Sequence, residues 1–183
     1  MKTKGNTIES FLTEIQTSEV LSHCKNTLTL EDGKLSISDS SSVRKSKVAF
    51  TKLDGFDFLT GLLLKEVNRN YKFDGYQIDT DITYQFTEYQ DGEFYDWHTD
   101  SGNTPNAKRR ISVVILLNDD YEEGDLVLKI DGEERILDKK TGNLFLFDSS
   151  ILHKVNPVKS GTRYSLVTWI KLKETDDYVK RLI

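Results

Sequence analysis

The sequence predicts a mainly β fold, a two-sheet β-sandwich or jelly roll with flanking helices, on three observations. From Tyr76 onward, short apolar segments alternate with polar positions and are separated by turn residues. The helix-period stripes lie in the part of the chain before Tyr76. The strands are too many for one open sheet that two helices could cover. With 183 residues, 37% hydrophobic and 30% charged, the chain can bury one sizeable core. We therefore expect a single domain over 1–183, with a helical and hairpin support region at 1–75, a β core at 76–173 and a C-terminal helix or tail at 174–183.

Taken in order, Ile8, Phe11, Leu12 and Ile15 fall at i, i+3, i+4 and i+7, and Val20, Leu21 and Cys24 continue the apolar face. This predicts a helix from about Glu9 to Lys25, with a short strand before Thr13 as the alternative. Leu28 and Leu30 alternate with threonines, Asp32-Gly33 signals a turn, and Leu35 and Ile37 alternate again, as in a hairpin. The serine-rich run Ser36–Ser42 is a surface loop. Phe58, Leu59, Leu62, Leu63 and Val67 predict a second helix over about Asp57–Asn70.

Ile78, Ile82, Tyr84 and Phe86 share even positions, as on one face of a strand. Ile111 to Leu117 is apolar on both faces apart from Ser112, the signature of a central strand. Leu126, Leu128 and Ile130 alternate into the turn Asp131-Gly132, and Leu144 to Phe147 is a buried strand closed by Asp148-Ser149-Ser150. A last strand runs from Thr162 to Leu172, with Arg163, Ser165, Val167 and Trp169 on one face and Tyr164, Leu166, Thr168 and Ile170 on the other.

Composition excludes several classes of partner. Twenty-five basic against 30 acidic residues give a net charge of −5, the wrong sign for a nucleic-acid binder. Cys24 is the only cysteine, so no intrachain disulfide forms, and a buried thiol in a reducing compartment is expected. The longest apolar run, Val113 to Leu117, is far short of a membrane span, and the polar start Met1–Asn6 lacks a signal-peptide core. A soluble, cytoplasmic protein acting on neither nucleic acid nor membrane is the expectation.

The chemistry lies with the histidines, of which there are three: His23, His98 and His153. His98-Thr99-Asp100 is an H-x-D triplet, and residues two apart in extended chain point to the same side, so imidazole and carboxylate converge on one metal. With 30 acidic residues in 183, such a triplet arises by composition about one time in six per histidine and needs support. His153 supplies it: it follows the Leu144–Phe147 strand, and strands several places apart in sequence face each other in a jelly roll. Two histidines and one carboxylate with open positions make the facial triad of non-haem Fe(II) oxygenases. The plainer alternative is a strand-end His153 bonded to a neighbouring carbonyl. Arg163 shares a strand face with Trp169, which suggests a lined pocket with an anion site, the alternative being a snorkelling edge arginine. His23 has no matching ligand spacing nearby and reads as structural.

Several motifs in fixed order carry a resemblance. They are Tyr89-Gln90-Asp91-Gly92-Glu93-Phe94-Tyr95-Asp96-Trp97-His98-Thr99-Asp100, then Arg109-Arg110-Ile111-Ser112 through Leu117-Asn118, then the glycine-led starts Gly124-Asp125-Leu126 and Gly142-Asn143-Leu144. His153-Lys154-Val155-Asn156-Pro157-Val158 with Gly161-Thr162-Arg163 completes the set. Together, from Tyr89 to Trp169, they resemble the prolyl 4-hydroxylase-like branch of the Fe(II)- and 2-oxoglutarate-dependent dioxygenases, over roughly half the chain.

The resemblance implies a double-stranded β-helix core and an iron held by His98, Asp100 and His153. It implies 2-oxoglutarate as cosubstrate, O2, and ascorbate as reductant. It implies that Arg163 holds the distal carboxylate of the cosubstrate and that Tyr89 bonds or adjoins it. Trp169 resembles the aromatic beside the iron, and Arg109 a basic residue that contacts substrate, though each is also compatible with a purely structural place. Collagen-type members carry lysine at the position of Arg163, so the arginine argues mildly against that subgroup. Val167 and Leu116 stand where some prolyl hydroxylases have a hydroxyl side chain, so those secondary contacts are not expected.

The implied reaction is hydroxylation of an unactivated C–H bond, on a prolyl or other amino-acid residue in a peptide or protein. A free amino acid or other small molecule remains open as substrate, as do a zinc hydrolase and a metal-binding jelly roll without turnover. The small, polar segment Ser101–Ala107 beside the triplet is a candidate substrate lid or an ordinary connection.

Overall fold

The computed structural model describes residues 5–33, 42–73, 76–102 and 108–174. The chain opens with β1 (Gly5–Ile8), α1 (Glu14–Thr27), β2 (Glu31–Asp32), β3 (Arg44–Lys45), β4 (Lys47–Thr51) and α2 (Asp57–Asn70). Then follow β5 (Tyr76–Ile78), β6 (Tyr84–Tyr89), β7 (Phe94–His98), β8 (Arg109–Leu116), β9 (Glu122–Glu123) and β10 (Leu126–Ile130). The last elements are β11 (Glu133–Ile136), β12 (Leu144–Asp148), β13 (Leu152–Val155), β14 (Val158–Ser160) and β15 (Arg163–Glu174).

Among the described residues, these strands form a major sheet in the order β1-β12-β8-β15-β6-β4-β2, with β5 against the far end of β15. A minor sheet runs β11-β10-β13-β7-β3, and β14 pairs with β9. The pairings within both sheets are antiparallel, the jelly-roll arrangement that the strand count predicts.

Period-two alternation along β8 explains why its segment is apolar on both faces. Ile111, Val113, Ile115 and Leu117 pack with Val20 and Cys24 of α1 and Leu59, Leu63 and Val67 of α2. Val114 and Leu116 point the other way, between the sheets, against Leu126, Leu128, Phe145 and Phe147. The major sheet is thus the shared wall of two cores. The metal-ligand candidates lie on the inter-sheet side.

The second helix spans the predicted residues. The first is shifted: Gly5–Ile8 is a strand paired with β12, the alternative weighed above, and the helix begins only after Thr13. The reason is local. Ser10 takes a φ of 50°, which breaks any helix there. Thr13 and Gln16 then close a capping box, the Gln16 N–H donating to Thr13 Oγ1 at 3.2 Å and the Thr13 N–H to Gln16 Oε1 at 3.0 Å. The buried face is Thr17, Val20 and Cys24, and Ile15 is 72% exposed rather than part of it.

Two strand expectations also change. Glu31–Asp32, at the expected hairpin turn, is a strand paired with β4, and Leu35–Ile37, the expected second arm, lie outside the described residues. The run of even positions from Ile78 to Phe86 breaks into β5 and β6, which pair with opposite ends of β15. The Asp131-Gly132 hairpin forms as predicted, with φ of 53° and 86° at its two central residues, values that favour Asp-Gly. The expected C-terminal helix beyond Glu174 and most of the 101–107 segment lie outside the described residues.

Candidate active site

The three candidate ligands arrive from two adjacent strands of the minor sheet. His98 ends β7, and His153, on β13, stands directly opposite it in the antiparallel register. Asp100 follows two residues after His98, its N–H donating to Ser149 O at 2.9 Å, which turns the chain so that the carboxylate faces both imidazoles. His98 Nε2 lies 3.8 Å from Asp100 Oδ1, and His153 Nε2 lies 3.5 Å from Asp100 Oδ2. One ligand atom from each residue falls within 4.8 Å of the others.

Backbone carbonyls set the orientation of both rings. His98 Nδ1 sits 2.8 Å from Asp96 O and His153 Nδ1 2.9 Å from Ile151 O. With Nδ1–H donating to these carbonyls, both Nε2 lone pairs are free for a metal. A histidine bonded to a neighbouring carbonyl, the plainer alternative for His153, is thereby compatible with a ligand role.

The carboxylate is held from outside as well. Ser112 Oγ donates to Asp100 Oδ2 at 2.6 Å and lies 2.9 Å from Ser149 Oγ. Burial works to raise the Asp100 carboxyl, but the two histidines and Ser112 outweigh it and hold the group well below the ordinary carboxylate range. Burial first, and then the neighbouring His153, push His98 down to about 3, against the pull of Asp100. A neutral imidazole beside an ionised carboxylate is the protonation state a metal requires.

The cluster opens into a cavity of about 230 Å³ between the sheets. Tyr89, Arg109, Arg163, Ser165, Val167 and Trp169 line it together with the cluster, so the predicted face of the last strand is its wall. Leu116 packs among the buried residues between the sheets instead. Arg163 is 1% exposed, with Nη1 donating to Ser165 Oγ at 2.9 Å and its guanidinium 5.4 Å from the Tyr89 ring. Its Nε has no hydrogen-bond partner, and among the described residues no carboxylate pairs with it. An uncompensated buried cation calls for an anion from outside the chain. Arg109 stacks 3.5 Å above the Trp169 ring, whose Nε1 is buried and unpartnered. His23 is remote from the cavity and tilts against Phe56.

Among the residues of this site that were not predicted are Arg44, Tyr95, Ser112 and Ser149. Tyr95 stacks on His98 with ring centroids 3.5 Å apart, and Arg44 lies 4.7 Å from the Tyr95 ring. Ser112 carried a signal, as the one polar residue in an apolar strand, but its partner comes from the other sheet. Arg44 carried none, because the pairing of β3 with β7 places it there.

The two imidazoles and the carboxylate suit Fe(II) with open positions. The donor-rich Arg163 suits a dicarboxylate beside it. Comparison with known proteins agrees. Residues 84–171 match the 2OG-Fe(II) oxygenase superfamily. A PKHD-type hydroxylase of Synechococcus sp. (strain CC9605) is 40% identical over 47% of this chain and 41% of its own length. One of Psychrobacter sp. (strain PRwf-1) is 28% identical over 84% of this chain and 63% of its own. The chain thus spans about half the length of the curated relatives it matches. Among solved structures, a Pseudomonas putida prolyl-4-hydroxylase superposes with a TM-score of 0.71 at 21% identity, covering 91% of both chains. A Trichoplax adhaerens prolyl hydroxylase, solved with a hypoxia inducible factor peptide fragment, gives 0.78 at 24% identity over 91% of this chain and 83% of its own. Residues 84–171 thus carry the 2OG-Fe(II) oxygenase match, and the chain resembles PKHD-type hydroxylases in sequence and prolyl 4-hydroxylases in fold.

Proposed function

We propose that this chain is an Fe(II)- and 2-oxoglutarate-dependent dioxygenase that hydroxylates an unactivated C–H bond on a prolyl or other amino-acid residue of a peptide or protein. The observation that carries the reading is a single cavity joining the His98–Asp100–His153 cluster to the buried, unpaired Arg163. His98 Nε2, Asp100 and His153 Nε2 would hold the metal, and the guanidinium fork of Arg163 would hold the distal carboxylate of the cosubstrate. The chemistry supplied there is oxidative decarboxylation of 2-oxoglutarate by O2 at Fe(II), coupled to oxygen insertion into a C–H bond, with ascorbate keeping the iron reduced.

The chain's own residues do the positioning. Ser165 fixes Arg163, and Tyr89 lies beside it, in reach of the same ligand. Val114, Leu126, Val155 and Val167 give the cavity an apolar lining that excludes water around the reacting bond. Trp169 and Arg109 close one side as a stacked pair. Among the described residues lining the cavity, Asp100 is the only carboxylate, so a hydrolase would lack a second one as general base.

Two observations favour an extended substrate over a small molecule. Arg44, Phe50 and Gln85 line both this cavity and a neighbouring groove of about 450 Å³, so the groove adjoins the cavity. Phe50, at their junction, is 61% exposed. The Trichoplax relative is itself solved with a peptide.

Anaerobic Fe(II) protein titrated with 2-oxoglutarate is expected to develop a visible charge-transfer band. Arg163→Ala should weaken cosubstrate binding at least tenfold, since it removes hydrogen bonds to a charged group, and leave metal affinity nearly intact. An absent band in the wild type overturns the proposal. Equal loss of metal and cosubstrate in the variant would make Arg163 a structural residue.

A further inference from the structure

Three arginines, Arg44, Arg109 and Arg163, line the cavity, against the single carboxylate of Asp100. On the reading proposed above, Fe(II) and the 2-oxoglutarate dianion balance each other, and Arg163 and Asp100 do the same. Arg44 and Arg109 are left over, and among the described residues neither forms an ion pair with a carboxylate. Two cations in a partly dry cavity without counter-charge are costly unless a ligand brings one.

Both guanidiniums are built into place. Arg44 is 8% exposed, and its Nε donates to Ser46 Oγ at 2.7 Å. Gly33 packs against it so closely that a Cβ there would come within 2.8 Å of Nε and 3.0 Å of Cζ. Its guanidinium lies over Tyr95, which stacks on His98, so one ring separates Arg44 from the metal-ligand cluster. Arg109 lies 3.5 Å above Trp169 on the opposing sheet. A guanidinium with one face covered by an aromatic ring keeps its N–H edge free, the geometry that takes a carboxylate in a bidentate grip.

Position narrows the ligand further. Arg44 also lines the adjoining groove, so it stands where an extended chain would pass from groove to cavity. We propose that Arg44 and Arg109 form an anion-reading subsite for the prime substrate, selecting peptides with an Asp or Glu side chain beside the residue to be hydroxylated. This rests on the function proposed above.

The test uses the full chain loaded with redox-inert Mn(II) and 2-oxoglutarate, and two fluorescent peptide pools of identical random composition. One pool carries Asp, the other Asn, beside a central position randomised over all residues. Retention of the Asp pool at least tenfold tighter than the Asn pool is expected, with that ratio collapsing toward unity in Arg44→Gln and in Arg109→Gln. Arg44→Lys keeps the charge and should keep part of the preference. Equal binding of the pools by the wild-type protein, or binding of neither, overturns the inference, whatever the variants do. Failure of the wild type to take up Mn(II) with 2-oxoglutarate at all is a separate result, and it removes the proposed function instead.

Discussion

At the Asp100 carboxylate, position is decided by a residue from another sheet. Ser112 is completely buried on β8, and its hydroxyl is committed to Asp100 Oδ2 with Ser149 behind it. Such outer hydrogen bonds orient a metal ligand and raise its affinity. Ser112→Ala should therefore lower Mn(II) affinity about 10- to 100-fold with little loss of fold, as measured by calorimetric titration. Unchanged affinity would reduce the serine to packing. This level of detail was half legible. The H-x-D spacing announced His98 and Asp100 because period two is a local property of extended chain. The Ser112 contact was not legible, because it depends on which sheets face each other.

Elements show the same division between local and distant causes. The second helix was readable to the residue because Leu59, Leu63 and Val67 keep a helical period on one buried face. The first was misplaced because Ile8 and Phe11 mimic that period while belonging to a strand and the turn after it. Beside the local break at Ser10 and the Thr13 cap, a remote glycine ties down the turn between that strand and α1: the Leu12 N–H donates to Gly142 O at 3.1 Å. Gly142 has a φ of +82°, and a Cβ there would lie 2.3 Å from Leu12 O. Gly142→Ala combines an unfavourable backbone conformation with a backbone clash, and should cost on the order of 2–3 kcal/mol in urea unfolding. A loss below about 0.5 kcal/mol would mean that the α1 connection adjusts freely.

The whole molecule carries the acid response of the site in its stability. Because burial and His153 lower His98 in the folded state from its ordinary 6.5 to about 3, the unfolded chain binds that proton more readily. Its contribution is complete above pH 6.5 and is lost progressively as the pH falls toward 3. Between pH 7 and pH 5.5 the metal-free protein should lose about 1 kcal/mol from this group, at a limiting slope of about 1.4 kcal/mol per pH unit. Urea midpoints measured at both pH values check this, with His98→Asn expected to flatten the slope. The jelly roll itself was legible from strand count and turn residues. Its sheet order was not, since the long crossings that put His153 opposite His98 leave no trace in local pattern.

The alternation along β15 gives one strand two duties. Arg163, Ser165, Val167 and Trp169 line the cavity, while Leu166 and Ile170, on the alternate positions, belong to the helix-covered core. Two inheritances are interleaved on one strand. Val167 and Trp169 can change to reshape the cavity while Leu166 and Ile170 go on specifying the same architecture. A lineage can thus diverge in chemistry without renegotiating its fold.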